Sequence, residues 1–153
     1  MSLRNGVLIA IEGIDGCGKT TILARLQMWL LGLGLQCLSV REPTDHYFGR
    51  MARDILLQNL ARPLDDMALL ALFVIDRLQH HLKVIFPGLE EGKIILADRG
   101  PMSTIAYGML AGHSFEDMVA LHRAVLRNKY CVPDATLFLE ITIEESLQRC
   151  GVR

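Results

Sequence analysis

The stretch Gly13–Thr20 reads Gly-Ile-Asp-Gly-Cys-Gly-Lys-Thr and stands just after the apolar run Val7–Ile11. It matches the pattern G-x-x-x-x-G-K-[ST] at every fixed position, with strand, loop and helix in the required order. Glycines let successive backbone N–H groups point at one anion, and the positive end of the following helix adds to the attraction. The stretch therefore predicts a loop that binds a nucleoside triphosphate, in preference to an ordinary glycine-rich turn.

Two side chains of this loop have expected chemical roles. Lys19 should reach the β- and γ-phosphates, and the Thr20 hydroxyl should ligate Mg2+. The residues that we expect around ATP are Gly13, Ile14, Asp15, Gly16, Cys17, Gly18, Lys19, Thr20 and Thr21.

Composition favours a compact enzyme. The chain has 153 residues, of which 51% are hydrophobic, enough for one domain with a substantial core. The net charge of -1 gives no polybasic face for nucleic acid, so small anionic ligands are favoured. Without a visible repeat or linker, residues 1–153 are expected to form a single domain.

The cysteines and the apolar runs indicate where in the cell the protein is expected. The four cysteines include no C-x-x-C pair, and no secretory leader precedes the first strand, which is typical of a cytoplasmic protein with reduced thiols. The longest apolar run, Met67–Ile75, is about half of the ~20 residues needed to cross a bilayer, and Asp76 and Arg77 interrupt it. We therefore expect a buried helix there and no membrane partner.

Strand and helix patterns alternate along the chain. The strands are predicted at Val7–Glu12, Gln36–Arg41, Lys93–Ala97 and Thr136–Ile141. The helices are predicted at Thr20–Leu33, Phe48–Gln58, Asp65–Phe86, Pro101–Leu110 and Phe115–Asn128, with a break at Ala61–Pro63 and a stop ahead of Pro87 and Gly88. This alternation predicts an α/β fold of the P-loop NTPase type, a doubly wound parallel sheet with helices on both faces.

Asp98 and Arg99 form a second informative feature, because they follow an apolar strand and so fall at the carboxyl edge of the sheet. Asp98 could hold Mg2+, and Arg99 could bind a phosphate through two parallel hydrogen bonds. The simpler alternative is an Asp–Arg ion pair that closes the strand. The five histidines show no metal-ligand spacing and are expected to be solvated or structural.

Four motifs in register give a resemblance to a known family. They are Ile11–Thr21, Arg41–Pro43, Leu72–Arg77 and Asp98–Tyr107. Together they resemble the bacterial-type thymidylate kinases over nearly the whole chain. The resemblance implies transfer of the γ-phosphoryl group of ATP to thymidine monophosphate, two nucleotide sites that face each other across the sheet edge, and a homodimer.

The resemblance also implies roles for residues outside the loop. On the phosphate side, Asp15 would lie near the acceptor's sugar and phosphate, and Arg99 would clamp that phosphate beside the catalytic Lys19. On the base side, Phe73 would stack on the base and Arg77 would hydrogen-bond its O4. Thr104 would lie against the base edge, and Tyr107 would crowd the 2′ position. Apart from the resemblance, Phe73 and Tyr107 fit equally well as packing residues.

The chain departs from the family pattern in three ways. Gly16 stands where some thymidylate kinases carry an arginine, and the lid that would supply one instead is expected beyond Arg153, after a capped helix that carries Arg149. We therefore expect a fragment without the lid and last helix, and slow turnover. Thr44-Asp45 and Gly100 stand at positions near the acceptor where relatives often have other residues. The identity of the acceptor base therefore stays open. The alternatives are a deoxynucleoside kinase, another nucleoside monophosphate kinase, or a non-catalytic nucleotide-binding module.

Overall fold

The computed structural model describes residues 5–57 and 65–151, so the predicted break at Ala61–Pro63 lies outside the described residues. The described chain divides into two compact units. The first, called the sheet unit, comprises residues 5–40, 88–100 and 133–151. The second, called the helical unit, comprises residues 41–57, 65–87 and 101–132. The motif Asp98–Tyr107 contributes to both units, and each of the other three motifs lies within one of them.

The strands of the sheet are β1 (Val7–Glu12), β2 (Cys37–Arg41), β3 (Ile94–Asp98) and β4 (Ala135–Phe138), in the order β2-β3-β1-β4. β1 pairs in parallel with both β3 and β4, which confirms the predicted parallel sheet. β4 was predicted to run to Ile141 but ends at Phe138. Its partner β1 ends at Glu12, where the chain turns into the glycine loop, so the ladder of hydrogen bonds has no strand to continue on.

Side chains alternate between the two faces of the sheet, and helices cover both. Ile11 of β1 and Leu96 of β3 pack against Leu23 and Leu30 of helix α1 (Lys19–Gly32). Ile95 points to the opposite face, where a β-carbon added at Gly88 would lie only 2.7 Å from its Cδ1. Because the side-chain period of a strand is two, one apolar run supplies both faces. The predicted arrangement of helices on both faces is confirmed.

The remaining helices are α2 (Tyr47–Leu56), α3 (Asp66–His80), α4 (Phe86–Glu90), α5 (Pro101–Leu110), α6 (Phe115–Leu126) and α7 (Ile143–Cys150). In the helical unit, Ala52 and Ile55 of α2 pack against Leu69 and Leu72 of α3. A second cluster joins Leu70 of α3 to Ile105 of α5 and Met118 of α6. Helix α3 thus carries apolar residues on two sides, as expected for a central helix. Among the described residues, no helix is long and apolar enough to cross a membrane.

The predicted end of the long helix ahead of Pro87 is wrong. α3 passes through a π-helical turn, His81–Ile85, into α4, which continues to Glu90. The π turn shifts the hydrogen-bond pattern by one residue, and Pro87 becomes the second residue of α4. A proline inside a helix lacks the N–H for one backbone hydrogen bond, and the π turn just before Pro87 is where the regular pattern is already interrupted.

The predicted helix starts are confirmed by their caps. Ser114 and Asp117 form a capping box at α6, and Thr142 and Glu145 form one at α7. At α3, the Asp65 carboxylate accepts a hydrogen bond of 2.7 Å from the Ala68 backbone. Each cap satisfies backbone N–H groups that the first turn of a helix leaves without partners.

Candidate active site

The glycine loop curls because three of its residues adopt backbone angles that favour glycine. Gly13, Gly16 and Gly18 have φ of 147°, 76° and 96°. A β-carbon at Gly13 would lie 2.5 Å from the Leu139 carbonyl oxygen and 2.7 Å from the Cys17 sulfur. Glycine at this position therefore serves both conformation and close packing. The loop ends at the first turn of α1, so its curve lies at the positive end of that helix.

Lys19 lies inside this curve. Only 8% of the residue is exposed, which is unusual for a lysine. Its Nζ donates hydrogen bonds to the carbonyl oxygens of Gly13 at 3.0 Å and Ile14 at 2.9 Å, and it lies 3.9 Å from the Asp15 carboxylate. The ammonium is therefore held at the loop by backbone oxygens, where an anion bound by the loop would meet a fixed positive charge.

Thr20 and Asp98 meet at the end of the sheet. Thr20 lies in the first turn of α1 and Asp98 ends β3, and the Thr20 hydroxyl donates a 3.3 Å hydrogen bond to the Asp98 carboxylate. A hydroxyl and a carboxylate are oxygen donors of the kind that Mg2+ prefers. The two residues that the sequence predicted as metal ligands are thus brought together in a suitable pair.

Asp15 and Arg99 form the second polar contact of the loop. Arg99 Nη2 makes an ion pair with the Asp15 carboxylate, and Arg99 Nη1 donates a 3.4 Å hydrogen bond to the Gly13 carbonyl. Asp98 and Arg99 are adjacent in sequence but contact different partners. The three predicted catalytic residues, Asp15, Lys19 and Arg99, therefore share one cluster, named the loop cluster together with Thr20 and Asp98.

Glu12 fixes the backbone at Arg99 and was not predicted as a site residue. Arg99 has φ of 71°, a left-handed conformation that is costly for a residue with a side chain. Its N–H donates to the Ile11 carbonyl at 3.0 Å, and the next N–H, of Gly100, donates to the buried Glu12 carboxylate at 2.9 Å. The signal in the sequence was an acid that ends an otherwise apolar strand.

Helix α7 also contacts the loop. The Ser146 hydroxyl donates to the Asp15 carbonyl at 2.7 Å, and Arg149 Nη1 donates to the Gly16 carbonyl at 3.3 Å. A β-carbon at Gly16 would lie 3.0 Å from the Ser146 carbonyl oxygen. The absence of a side chain at Gly16 therefore permits the close approach of a helix that carries an arginine.

A buried polar network surrounds Arg77 in the helical unit. Arg77 Nε and Nη2 lie 2.7 Å and 2.6 Å from Glu42 Oε2. Nη1 contacts His122 Nε2 at 2.6 Å, and Nη2 donates to the Thr104 hydroxyl at 3.1 Å. His80 Nδ1 lies 3.1 Å from the other oxygen of Glu42. These five residues are named the Arg77 cluster. The predicted pair Arg77 and Thr104 is in direct contact.

Charge dominates the protonation of this network. Burial alone would raise the pKa of Glu42, but the positive charge of Arg77 and the hydrogen bonds from His80 and Arg77 outweigh it and lower the pKa to about 2. Burial lowers the pKa of His122, and the Arg77 charge lowers it further, to about 4. At neutral pH the cluster therefore combines an ionised Glu42 with a neutral His122.

A neighbouring contact shapes the loop after β2. The buried Asp76 carboxylate accepts hydrogen bonds from the Thr44 N–H at 2.8 Å and from the Thr44 hydroxyl at 2.5 Å. Asp45, one residue on, is exposed and pairs with Arg41 and Arg53. Asp76 thus holds this loop to the helix that carries Arg77.

The other two predicted base-side residues have different surroundings. Phe73 is half-buried and packs against the apolar cluster formed by α2 and α3. The side chain of Tyr107, on α5, is largely open to solvent, with 54% of the residue exposed. Phe73 therefore has the surroundings of a packing residue, and Tyr107 has those of a surface residue. The contacts of both residues with a base stay predictions.

The sequence did not identify Glu42, His80 and His122 as members of the Arg77 cluster. Glu42 entered only as part of the Arg41–Pro43 motif, and the histidines were expected to be solvated or structural. His80 lies three residues after Arg77 and so on the same side of α3, a spacing that could have indicated a shared partner. For His122 the sequence holds no such signal, because α6 is distant from Arg77 along the chain.

Comparison with known proteins places these features in a family. The family model for thymidylate kinase matches residues 11–153. A thymidylate kinase of Thermoanaerobacter sp. (strain X514) is 38% identical over 151 residues, covering 97% of this chain and 72% of that protein. A protein of Pyrococcus abyssi described as "Probable thymidylate kinase" is 36% identical, covering 97% of this chain and 71% of that protein.

A solved structure agrees with the sequence matches. The crystal structure of a thymidylate kinase from Ehrlichia chaffeensis superposes with a TM-score of 0.77 at 30% identity, covering 94% of this chain and 77% of that chain. The similarity thus extends over nearly all of the chain in both sequence and fold.

Proposed function

This chain belongs to the thymidylate kinase family, and we propose that it transfers the γ-phosphoryl group of ATP to the 5′-phosphate of thymidine monophosphate, giving ADP and the diphosphate. The observation that carries the proposal is the position of Lys19, a nearly buried ammonium held by two carbonyls of a loop with three glycines at positive φ. Such a loop is suited to a triphosphate, since it combines N–H donors with a fixed positive charge.

On the donor side, the loop backbone and Lys19 bind the β- and γ-phosphates. Thr20 and Asp98 would hold Mg2+, which supplies charge neutralisation at these phosphates when bound. The pairing of a hydroxyl and a carboxylate at 3.3 Å supports this assignment because both offer oxygen ligands.

In the proposed reaction an oxygen of the acceptor phosphate attacks the γ-phosphorus of ATP. A new P–O bond forms while the bond to the β,γ-bridging oxygen breaks, and ADP leaves with the bonding electrons. The attacking oxygen is already anionic, so the reaction needs little acid or base catalysis from the protein. Lys19 stabilises the charge of the transferring group, Arg99 clamps the acceptor phosphate, and Asp15 orients Arg99 and the acceptor.

Gly16 leaves the loop without an arginine of its own, and Arg149 of α7 is a described residue that brings a guanidinium to this point. Its guanidinium already contacts the loop at Gly16, which supports a role in neutralising charge on the bound triphosphate. Arg149 is exposed to solvent, so its guanidinium is accessible to a nucleotide that binds at the loop.

On the acceptor side, Arg77 donates hydrogen bonds to O4 of the base, Thr104 lies at the base edge, and Phe73 stacks on the ring. Tyr107 limits space at the 2′ position and favours deoxyribose. The contact between Arg77 and Thr104 supports a shared task for these two residues. The exposure of Tyr107 leaves its ring available to a ligand.

The proposal also includes the oligomeric state and the cellular location. We infer a homodimer, supported by the apolar character of α3 and testable by sedimentation velocity. A cytoplasmic location is supported by the four cysteines, since the structure joins none of these described residues in a disulfide.

A panel of acceptors tests the proposed function. ADP release should be measured with ATP, Mg2+ and, in turn, dTMP, dUMP, dCMP, dGMP, AMP and thymidine. We expect the highest kcat/KM with dTMP and no turnover of thymidine. A preference for thymidine would indicate a nucleoside kinase. Tight ATP binding without product from any acceptor would indicate a binding module.

A further inference from the structure

His122 is a fully buried histidine with two defined hydrogen-bond partners. It lies on α6 with 0% of its surface exposed. Nδ1 lies 2.7 Å from the Met118 carbonyl oxygen one helical turn earlier, and Nε2 lies 2.6 Å from Arg77 Nη1. The rings of His122 and Tyr130 are 5.9 Å apart. Both ring nitrogens are therefore engaged, each with a different kind of group.

The partners decide which nitrogen carries the proton. A guanidinium can only donate hydrogen bonds, so Nε2 must be the acceptor and must lack a proton. The Met118 carbonyl can only accept, so the proton lies on Nδ1. The titratable and charged groups that act on or contact the ring are Arg77 on α3, His81 in the π turn, Glu42 and Tyr130. A second proton on His122 would face the Arg77 cation.

Three acceptors from three parts of the helical unit surround the guanidinium. Glu42, in the loop after β2, accepts from Nε and Nη2, Thr104 on α5 accepts from Nη2, and His122 on α6 accepts from Nη1. A planar group held at both ends by different elements has one orientation. Without His122, the Nη1 end would lose the contact that fixes it on the α6 side.

We propose that His122 is a positioning residue for acceptor recognition, because it fixes the plane in which Arg77 presents its donors to the base. The proposal rests on the proposed role of Arg77 at O4. A guanidinium offers donors only, so it favours a base with a carbonyl at ring position 4 over one with an amino group there. A fixed plane makes this preference sharper, and His122 thereby contributes to the choice of thymine over cytosine.

Two substitutions separate the two contacts of the ring. In His122→Gln the side-chain oxygen can reach the position of Nε2 and still accept from Arg77. In His122→Asn the shorter amide can still donate to the Met118 carbonyl but cannot reach Arg77. His113→Gln, at a half-buried histidine between α5 and α6, is the control. Both variants of His122 place a neutral amide in the same site, and they differ in whether the contact with Arg77 is kept.

The expected result is a split between substrates. His122→Asn should raise KM for dTMP about 10-fold, as for a lost hydrogen bond to a charged group, and narrow the kcat/KM ratio of dTMP to dCMP by a similar factor. KM for ATP and kcat should change little. His122→Gln and His113→Gln should resemble the wild type. The proposal is overturned if Asn and Gln act alike, or if KM for ATP rises as much as KM for dTMP.

A second measurement needs neither turnover nor a folded variant. Nitrogen-15 NMR of the histidine rings in the unmutated protein reports the protonation of each ring nitrogen. We expect His122 to be neutral at pH 7 with the proton on Nδ1. A proton on Nε2, or a doubly protonated ring, overturns the proposal. If the wild type does not phosphorylate dTMP, the proposed function fails, while the ring proton still decides whether His122 accepts from Arg77.

Discussion

The loop cluster and the Arg77 cluster satisfy their charges in opposite ways. In the loop cluster the acid Asp15 is 70% exposed, and Lys19 donates to backbone carbonyls. In the Arg77 cluster the acid Glu42 is 10% exposed, and Arg77 is bound by side chains from other elements. The first arrangement leaves an exposed carboxylate at the loop, whereas the second buries its ion pair among side chains from several elements. Substitutions in the loop cluster should therefore affect mainly activity. Substitutions in the Arg77 cluster should lower stability as well as activity.

The largest expected effect is the loss of stability in Arg77→Ala. Removing the guanidinium leaves Glu42 charged and buried without its main partner, which should lower the free energy of unfolding by ~3–5 kcal/mol. Urea unfolding at pH 7 measures this value. Arg41→Ala, which breaks an exposed pair with Asp45, is the matched control and should have little effect. Equal losses in both variants would remove the distinction between the clusters.

Lys19→Ala should have the opposite profile. Loss of the ammonium removes a fixed positive charge at the transferring phosphate and should lower kcat by ~10²- to 10³-fold, while the melting temperature stays close to that of the wild type. Steady-state kinetics and thermal unfolding measure the two quantities. Lys83→Ala, at an exposed lysine, is the control. Full activity of Lys19→Ala would exclude the proposed triphosphate site.

Arg99→Ala should separate the two substrates. If Arg99 binds the acceptor phosphate, its loss should weaken monophosphate binding by ~1.5–3 kcal/mol, with ATP binding almost unchanged. Calorimetry with dTMP and with a non-hydrolysable ATP analogue measures both affinities. An equal loss for both ligands would move Arg99 to the donor side or to a structural role in orienting Asp15.

The last prediction is a pH dependence of stability. His122 has a folded pKa of about 4 against an ordinary 6.5, so below pH 6.5 the unfolded chain binds the proton more readily and stability falls until about pH 4. His81, whose pKa burial also lowers, contributes in the same direction. Glu42, with a pKa of about 2 against 4.5, adds stability above pH 4.5 that is lost between 4.5 and 2.

Two variants assign these windows to residues. In urea titrations, His122→Gln should flatten the profile between pH 6.5 and 4, and Glu42→Gln should flatten it below pH 4.5. A profile of His122→Gln that matches the wild type in the upper window would mean that His122 is already charged in the folded protein.

The same contrast explains what the sequence could and could not predict. The loop cluster was predictable because its geometry is local: the glycines, Lys19 and Thr20 occupy one short segment, and Asp98 joins them since parallel strands end at one edge. Glu12 was missed because its partner is a backbone N–H that no side-chain pattern reveals. His122 was missed because its contact with Arg77 depends on how α3 and α6 pack.

Helix ends show the same limit on a smaller scale. The capping boxes at Ser114 and Thr142 were predictable, since both partners lie three residues apart. The passage of the long helix through Pro87 was not, because the π turn that accommodates it leaves no simple signal in the sequence.

Transfer of labelled phosphate distinguishes a kinase from a protein that only binds nucleotides. The protein should be incubated with ATP labelled at the γ-phosphate, Mg2+ and unlabelled dTMP, and the products separated by ion-exchange chromatography, with Lys19→Ala in parallel. We expect label in dTDP and one ADP formed for each dTDP with the wild type, and almost no labelled dTDP with Lys19→Ala. Label that remains in ATP or appears only in inorganic phosphate, while the protein binds both nucleotides, would contradict the proposed kinase activity.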